Sequence, residues 1–156
     1  MLTSQDLQKF IDQNQIAAEI MPMEEDTPTV PDAARALGVE EDQIIKSLVF
    51  VVDDQPTLVI TNGTHKVDSR LVARHYGVGR KRAKMTRAEQ ALEITGYAVG
   101  AMPPFGHRTR LRTIVDPGVV DHQEIFGGGG EINAMLRLTP EELLRVTGAE
   151  IVSILA

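Results

Sequence analysis

The chain has 156 residues, 42% hydrophobic and 24% charged, with no cysteine, no tryptophan and a net charge of −6 at pH 7. This composition predicts one globular domain over residues 1–156, with a core of Val, Ile, Leu, Met and Ala. Disulfides, thiolate metal sites and cysteine nucleophiles are excluded, and the acidic total argues against a protein that coats nucleic acid.

In chain order, residues 4–15 predict a helix with Leu7, Phe10 and Ile11 on one face and Ser4 as its cap. Residues 17–23 predict a short strand. Residues 29–37 predict a second helix, with Thr29 as N-cap, Asp32 in the first turn and Gly38 as the stop. The β-rich runs 44–52 and 57–61, joined by Asp53-Asp54-Gln55-Pro56, predict a hairpin. Residues 68–75 and 86–95 predict helices; Thr86 and Glu89 form a capping-box pattern for the latter. Strands are expected over 97–101, 109–116, 124–126 and 132–138, the last two flanking four glycines at 127–130. Residues 139–147 predict a helix that begins Thr139-Pro140 and ends at Gly148, followed by a strand over 151–155. Hairpins mixed with helices predict a mixed α/β fold: a mostly antiparallel sheet curled toward a barrel, with surrounding helices. The polar stretch 1–10 lacks a signal-peptide core, and no apolar run reaches a membrane span. The expected location is therefore cytoplasmic, with no membrane partner.

Half of the 16 basic residues fall between Lys66 and Arg87, with Asp68 the only acid among them. Acids gather elsewhere, as in Glu24-Glu25-Asp26 and Glu40-Glu41-Asp42, so one basic and one acidic face are expected. Lys46 stands alone in the apolar run 44–50 and shares a strand face with Phe50. Spacing alone favours an edge-strand guard or a stem lying on apolar surface; the alternative is a cation at a pocket rim that holds a phosphate. The segment 100–106, Gly-Ala-Met-Pro-Pro-Phe-Gly, is either a rigid connection or a loop presenting backbone groups to a ligand. The glycine run is either a flexible turn or a surface for a flat base or ribose. It is followed by no Gly-Lys-Ser/Thr, which argues against triphosphate binding. His107 is either a surface histidine or a donor to substrate. Arg108, Arg110 and Arg112 share one face of a strand, as a solvated edge or a phosphate track. The histidines show no ligand spacing and the serines no nucleophile elbow, so no metal or cofactor is expected.

Thr29 with 33–38, Lys46-Ser47-Leu48, Thr95-Gly96, Gly100 with Pro104, Phe105-Gly106, Asp116, and the glycine run before 132–138 follow one order and spacing. Together they resemble the YbaK/EbsC-type, ProX-like aminoacyl-tRNA deacylases of the prolyl-tRNA synthetase editing-domain superfamily, over roughly residues 20–155. The resemblance implies a YbaK-like fold and a trans-editing hydrolase. Its substrate would be the ester of a small uncharged amino acid mischarged on tRNA, with tRNA-Pro the expected carrier. It implies catalytic roles for Lys46, Gly100 and Pro104, with Lys46 near the 3′-terminal adenosine and its phosphate. Phe50, Met102, Phe105, Gly106, His107, Gly128 and Gly129 are the expected substrate contacts, and Arg80, Lys81, Arg82 and Lys84 the tRNA contacts. Prolyl-tRNA synthetase or another synthetase is the expected partner. The alternative is a tRNA- or synthetase-binding module of the same fold without catalysis. Many members carry a polar or acidic residue in the strand after the glycines; this chain has Ala134-Met135, leaving Asn133 as the polar candidate.

Overall fold

The computed structural model describes all 156 residues. Helix α1 spans Ser4–Gln13 and is capped by Thr3, one residue before the expected cap. Thr3 accepts from Gln5 while Asp6 reaches back to the Thr3 N–H, a capping box that Ser4 is not placed to form. Strand β1 (Ala18–Pro22) follows, then α2 (Val30–Leu37), which starts at Thr29 and ends at Gly38 with φ 70°. Strands β2 (Ile45–Val52) and β3 (Gln55–Asn62) form the predicted hairpin. Its loop is only Asp53-Asp54, both at positive φ as a two-residue type I′ turn requires.

Helix α3 (Ser69–Tyr76) is capped by Asp68 and leads to a 3₁₀ turn at Arg80–Arg82. A strand not expected from sequence, β4 (Ala83–Met85), comes next. Helix α4 (Ala88–Thr95) begins at Arg87 without a side-chain cap. The expected cap, Thr86, instead donates from its hydroxyl to the Val49 carbonyl on β2, 3.0 Å away. Residues 97–101 are not a strand. Thr95 Oγ1 accepts from the Tyr97 N–H and turns the chain, which sends the Tyr97 ring into the core. The remaining elements are β5 (Arg112–Val115), β6 (Ile125–Gly128), β7 (Ala134–Leu138), α5 (Pro140–Thr147) and β8 (Glu150–Ile151).

The strands make two sheets, ordered β1-β7-β6 and β4-β2-β3-β5-β8. The first is antiparallel; the second is mixed, because β5 joins β3 and β8 joins β5 in parallel. A single bridge between Ile44 and Phe126 links the sheets, giving the curled, partly closed form. Alternation along β3 sends Leu58 and Ile60 into the main core beneath α1 and α5, and Val59 into a second core under α3. Asp116 is buried and structural. Its carboxylate accepts from Gly118 N and Ile154 N, which pins the segment after β5 to the C-terminal stretch.

Candidate functional site

A cleft of about 550 Å³ opens where β2 loses its neighbour. Strand β4 pairs only with Phe50, Val51 and Val52, so the edge of β2 from Ile45 to Val49 has no partner strand on that side. Thr86, bonded through both N–H and hydroxyl to Val49 O, marks where pairing stops. The free edge is one wall. The other walls are residues 27–31 leading into α2, the turn after β3 with Thr64 and Lys66, and the loop from Val99 to Met102.

Lys46 stands on the free edge. Its Nζ donates to the His65 carbonyl at 3.1 Å and meets no carboxylate. Burial, then the nearby Lys66 charge, pull its pKa below the ordinary lysine value. His65 is itself tied to Asp42, Nε2 to Oδ1 at 3.1 Å, which fixes the carbonyl that holds Lys46. Lys66 also lines the cleft, and no Asp, Glu or His does. The walls therefore carry two cations, a set of hydroxyls (Thr27, Thr29, Ser47, Thr64, Thr86) and no anion. Thr27 is buried and its hydroxyl donates toward the Ile132 carbonyl and the Met135 sulfur. Thus the Ala134-Met135 stretch gives the cleft a thioether, and Asn133 does not line it.

The loop expected to present substrate contacts divides in two. Gly100, at φ 93°, and Met102 face the cleft. Pro104 turns away and packs behind β6 near Gly127. Phe105 stacks on Phe10 of α1, ring centroids 5.9 Å apart, and Gly106 fits against Leu7 and Phe10. His107 also points away from the cleft. Its Nε2 lies 2.8 Å from the Pro103 carbonyl, to which it donates, and burial lowers its pKa below 6.5. Pro104, Phe105, Gly106 and His107 thus support the loop from behind and touch nothing in the cleft. Phe50 does share a strand face with Lys46, but it lies four residues further along, roughly 13 Å. There α3 covers it in the second core, with 1% of its surface exposed.

The glycines are a bed for that loop. A Cβ at Gly128 would lie 2.3 Å from Met102 O, and one at Gly129 2.6 Å from the Ala134 carbonyl carbon. Gly130, at φ 93°, donates its N–H to Ala101 O and lies against the backbone of Ser4. Only Gly128 reaches the cleft; Gly129 is packed beneath it.

The family profile described as "Aminoacyl-tRNA editing domain" matches residues 24–146. The chain belongs to the aminoacyl-tRNA editing domain family. It is 31% identical over 126 residues to an uncharacterized protein of Bacillus subtilis, YwhH, covering 80% of this chain and 78% of that one. It is 25% identical over 131 residues to the Enterococcus faecalis "Putative Cys-tRNA(Pro)/Cys-tRNA(Cys) deacylase EbsC", covering 83% and 79% of the two chains. The structure matches that of "a putative trans-editing enzyme for prolyl tRNA synthetase" with a TM-score of 0.90 and 30% identity, over 98% of this chain and 96% of the other.

This editing domain keeps its basic face, but the charges there are unequal. Arg82 pairs with Asp53 and Asp54, the two turn residues of the β2–β3 hairpin. Lys81 and Lys84 have no carboxylate partner and line a groove beside the cleft; Arg80 is exposed and outside it. The arginines expected as a phosphate track are structural in two cases of three. Arg112 lies over the Tyr76 ring at 4.0 Å and donates to Thr57 Oγ1, and Arg110 donates to the last carbonyls of α5. The sequence reading missed Lys66 as a cleft residue. The charge was visible, but only the turn after β3 brings it beside Lys46.

Proposed function

We propose that this editing domain is a trans-acting hydrolase that cleaves the ester between a small, uncharged amino acid and the 3′ end of tRNA. The single observation that carries the reading is the charge pattern of the cleft: Lys46 and Lys66 on its walls, no carboxylate, and an apolar part formed by Met102, Met135, Ala33 and Ala91. A phosphate and ribose suit the cationic part. A small side chain suits the apolar part, where an unpaired charge would be costly to bury.

In the reaction, water adds to the ester carbonyl, the carbon–oxygen bond to ribose breaks, and the 3′ hydroxyl leaves with a proton. No carboxylate or histidine lines the cleft, so the chain contributes mainly position and electrostatics. Lys46 holds the terminal phosphate, and the backbone at Gly100 faces the aminoacyl group. Because the loop is supported from behind by Pro104, Phe105 and His107, the cleft selects by shape. Such selection has a use. One methylene gives a synthetase pocket only about 10–200-fold discrimination, and a second hydrolytic site removes the remaining errors. The relatives' names, one citing Cys-tRNA(Pro)/Cys-tRNA(Cys) and one prolyl tRNA synthetase, support tRNA-Pro as the carrier and that synthetase as the partner.

The test is a panel of tRNA-Pro charged with alanine, 2-aminobutyrate, serine, cysteine, proline, lysine or glutamate. Release of the small uncharged residues, lost in Lys46→Ala with the fold intact, is expected. Rapid release of lysine or glutamate would overturn the pocket assignment. Binding of tRNA with no release of any residue would make the domain a binding module instead.

A further inference from the structure

We infer that the single-stranded 3′ end of the tRNA leaves the cleft over Met85 and Thr86 and runs along an adjoining groove whose phosphate contacts are Lys81, Lys84 and Arg87, with Arg82 withheld. The inference rests on the reading of the cleft as an aminoacyl-tRNA site and adds the route taken by the rest of the strand.

The groove lies between the β2–β3 turn, the 3₁₀ turn Arg80–Arg82, β4 and the start of α4. It holds about 540 Å³ and shares Met85 and Thr86 with the cleft, so the two adjoin. Its charged lining is Lys81, Arg82, Lys84 and Arg87 against Asp53 and Asp54. Both aspartates are engaged by Arg82, at the turn end of the groove. The other three cations have no ion-pair partner. In a chain with net charge −6, three unpaired cations beside a two-lysine cleft form a positive path leading away from it. A phosphodiester strand, one negative charge per nucleotide, is the ligand that such a path fits. At the junction Met85 is 58% exposed, an apolar surface on which a base can rest. A lysine on an edge strand also guards against pairing with other chains. That role explains Lys84 alone; it does not account for Lys81 and Arg87 on the same groove.

The experiment compares the unmodified chain, the triple variant Lys81→Gln/Lys84→Gln/Arg87→Gln, and Arg82→Gln. Affinity for uncharged tRNA is measured against salt. KM is measured for one amino acid carried on full tRNA and on adenosine alone, which ends inside the cleft. Three released single-strand counterions give a slope difference of roughly 2 in log affinity against log salt. Between about 50 and 200 mM salt, the unmodified chain should therefore lose roughly 20-fold more affinity than the triple variant. The triple variant raises KM for tRNA and not for the adenosine ester, and Arg82→Gln keeps the original slope. An unaltered slope in the triple variant overturns the route, as does an equal rise in KM for both substrates. An Arg82→Gln effect as large as the triple variant's overturns the pairing argument. If no ester is cleaved by the unmodified chain, the hydrolase reading fails, while the salt slope still decides the groove.

Discussion

Replacing Gly128 by alanine puts a methyl carbon 2.3 Å from the Met102 carbonyl oxygen, 2.7 Å from its carbon and 2.8 Å from the Ala101 carbonyl carbon. Ordinary contact begins at 3.4 Å, so something must move by about 1 Å. Strand β6 is held in register by β7, with Gly128 opposite Met135, so the loop bearing Gly100 and Met102 is the part that yields. Overpacking of this kind costs about 1–3 kcal/mol. For a chain of this size that lowers Tm by roughly 2–12 °C. A displacement of about 1 Å at the substrate costs on the order of 100-fold in rate. Thermal unfolding followed by circular dichroism reads the first quantity, and single-turnover deacylation of alanyl-tRNA-Pro reads the second. Gly127→Ala is the internal comparison: its nearest obstacle is the Ile45 side chain at 3.0 Å rather than the backbone of the loop. A Gly128→Ala protein with unchanged Tm and unchanged rate would refute the account of the glycine run. A loss of rate no greater than that of Gly127→Ala would refute the link to the loop.

Met102→Ala should lower stability by roughly 2–5 kcal/mol, since the side chain is 7% exposed and belongs to the main core. It should also raise turnover of valyl relative to alanyl esters; an unchanged ratio would remove Met102 from the pocket wall. His107 has its pKa lowered in the fold by burial, so the unfolded chain binds its proton more readily. The associated stability is complete above the ordinary value of about 6.5 and is lost as pH falls below it. Tm should accordingly fall more steeply between about pH 7 and pH 5 in the unmodified chain than in His107→Gln, and equal slopes would show that His107 does not couple the loop to pH.

Local chemistry made several elements legible in sequence. Thr29 with Gly38 and Thr139-Pro140 with Gly148 bracket α2 and α5, because capping is settled within a few residues. Lys46 was visible as a lone cation in an apolar strand, and the structure places it at the free edge. The misreadings concern contacts between segments distant in the chain. Thr86 has the chemistry of a cap, yet Val49, 37 residues away, takes its hydroxyl. Strand β4 is three residues within a basic run, and only pairing with β2 makes it a strand. The 100–107 segment reads as one loop, but α1 and the glycine bed pull its second half inward. Spacing could not show that Arg112 would find a ring and a threonine, or that Arg82 would find two aspartates.

The support given by α1 bears on how this protein is handled. The family match begins at residue 24, yet the helix before it carries the loop. Leu2 donates its N–H to Gly96 O, the Ser4 backbone abuts Gly130, Leu7 is fully buried and Phe10 stacks on Phe105. A fragment cut to the recognisable domain would remove this brace. Activity measured on such a fragment would report a loosened loop.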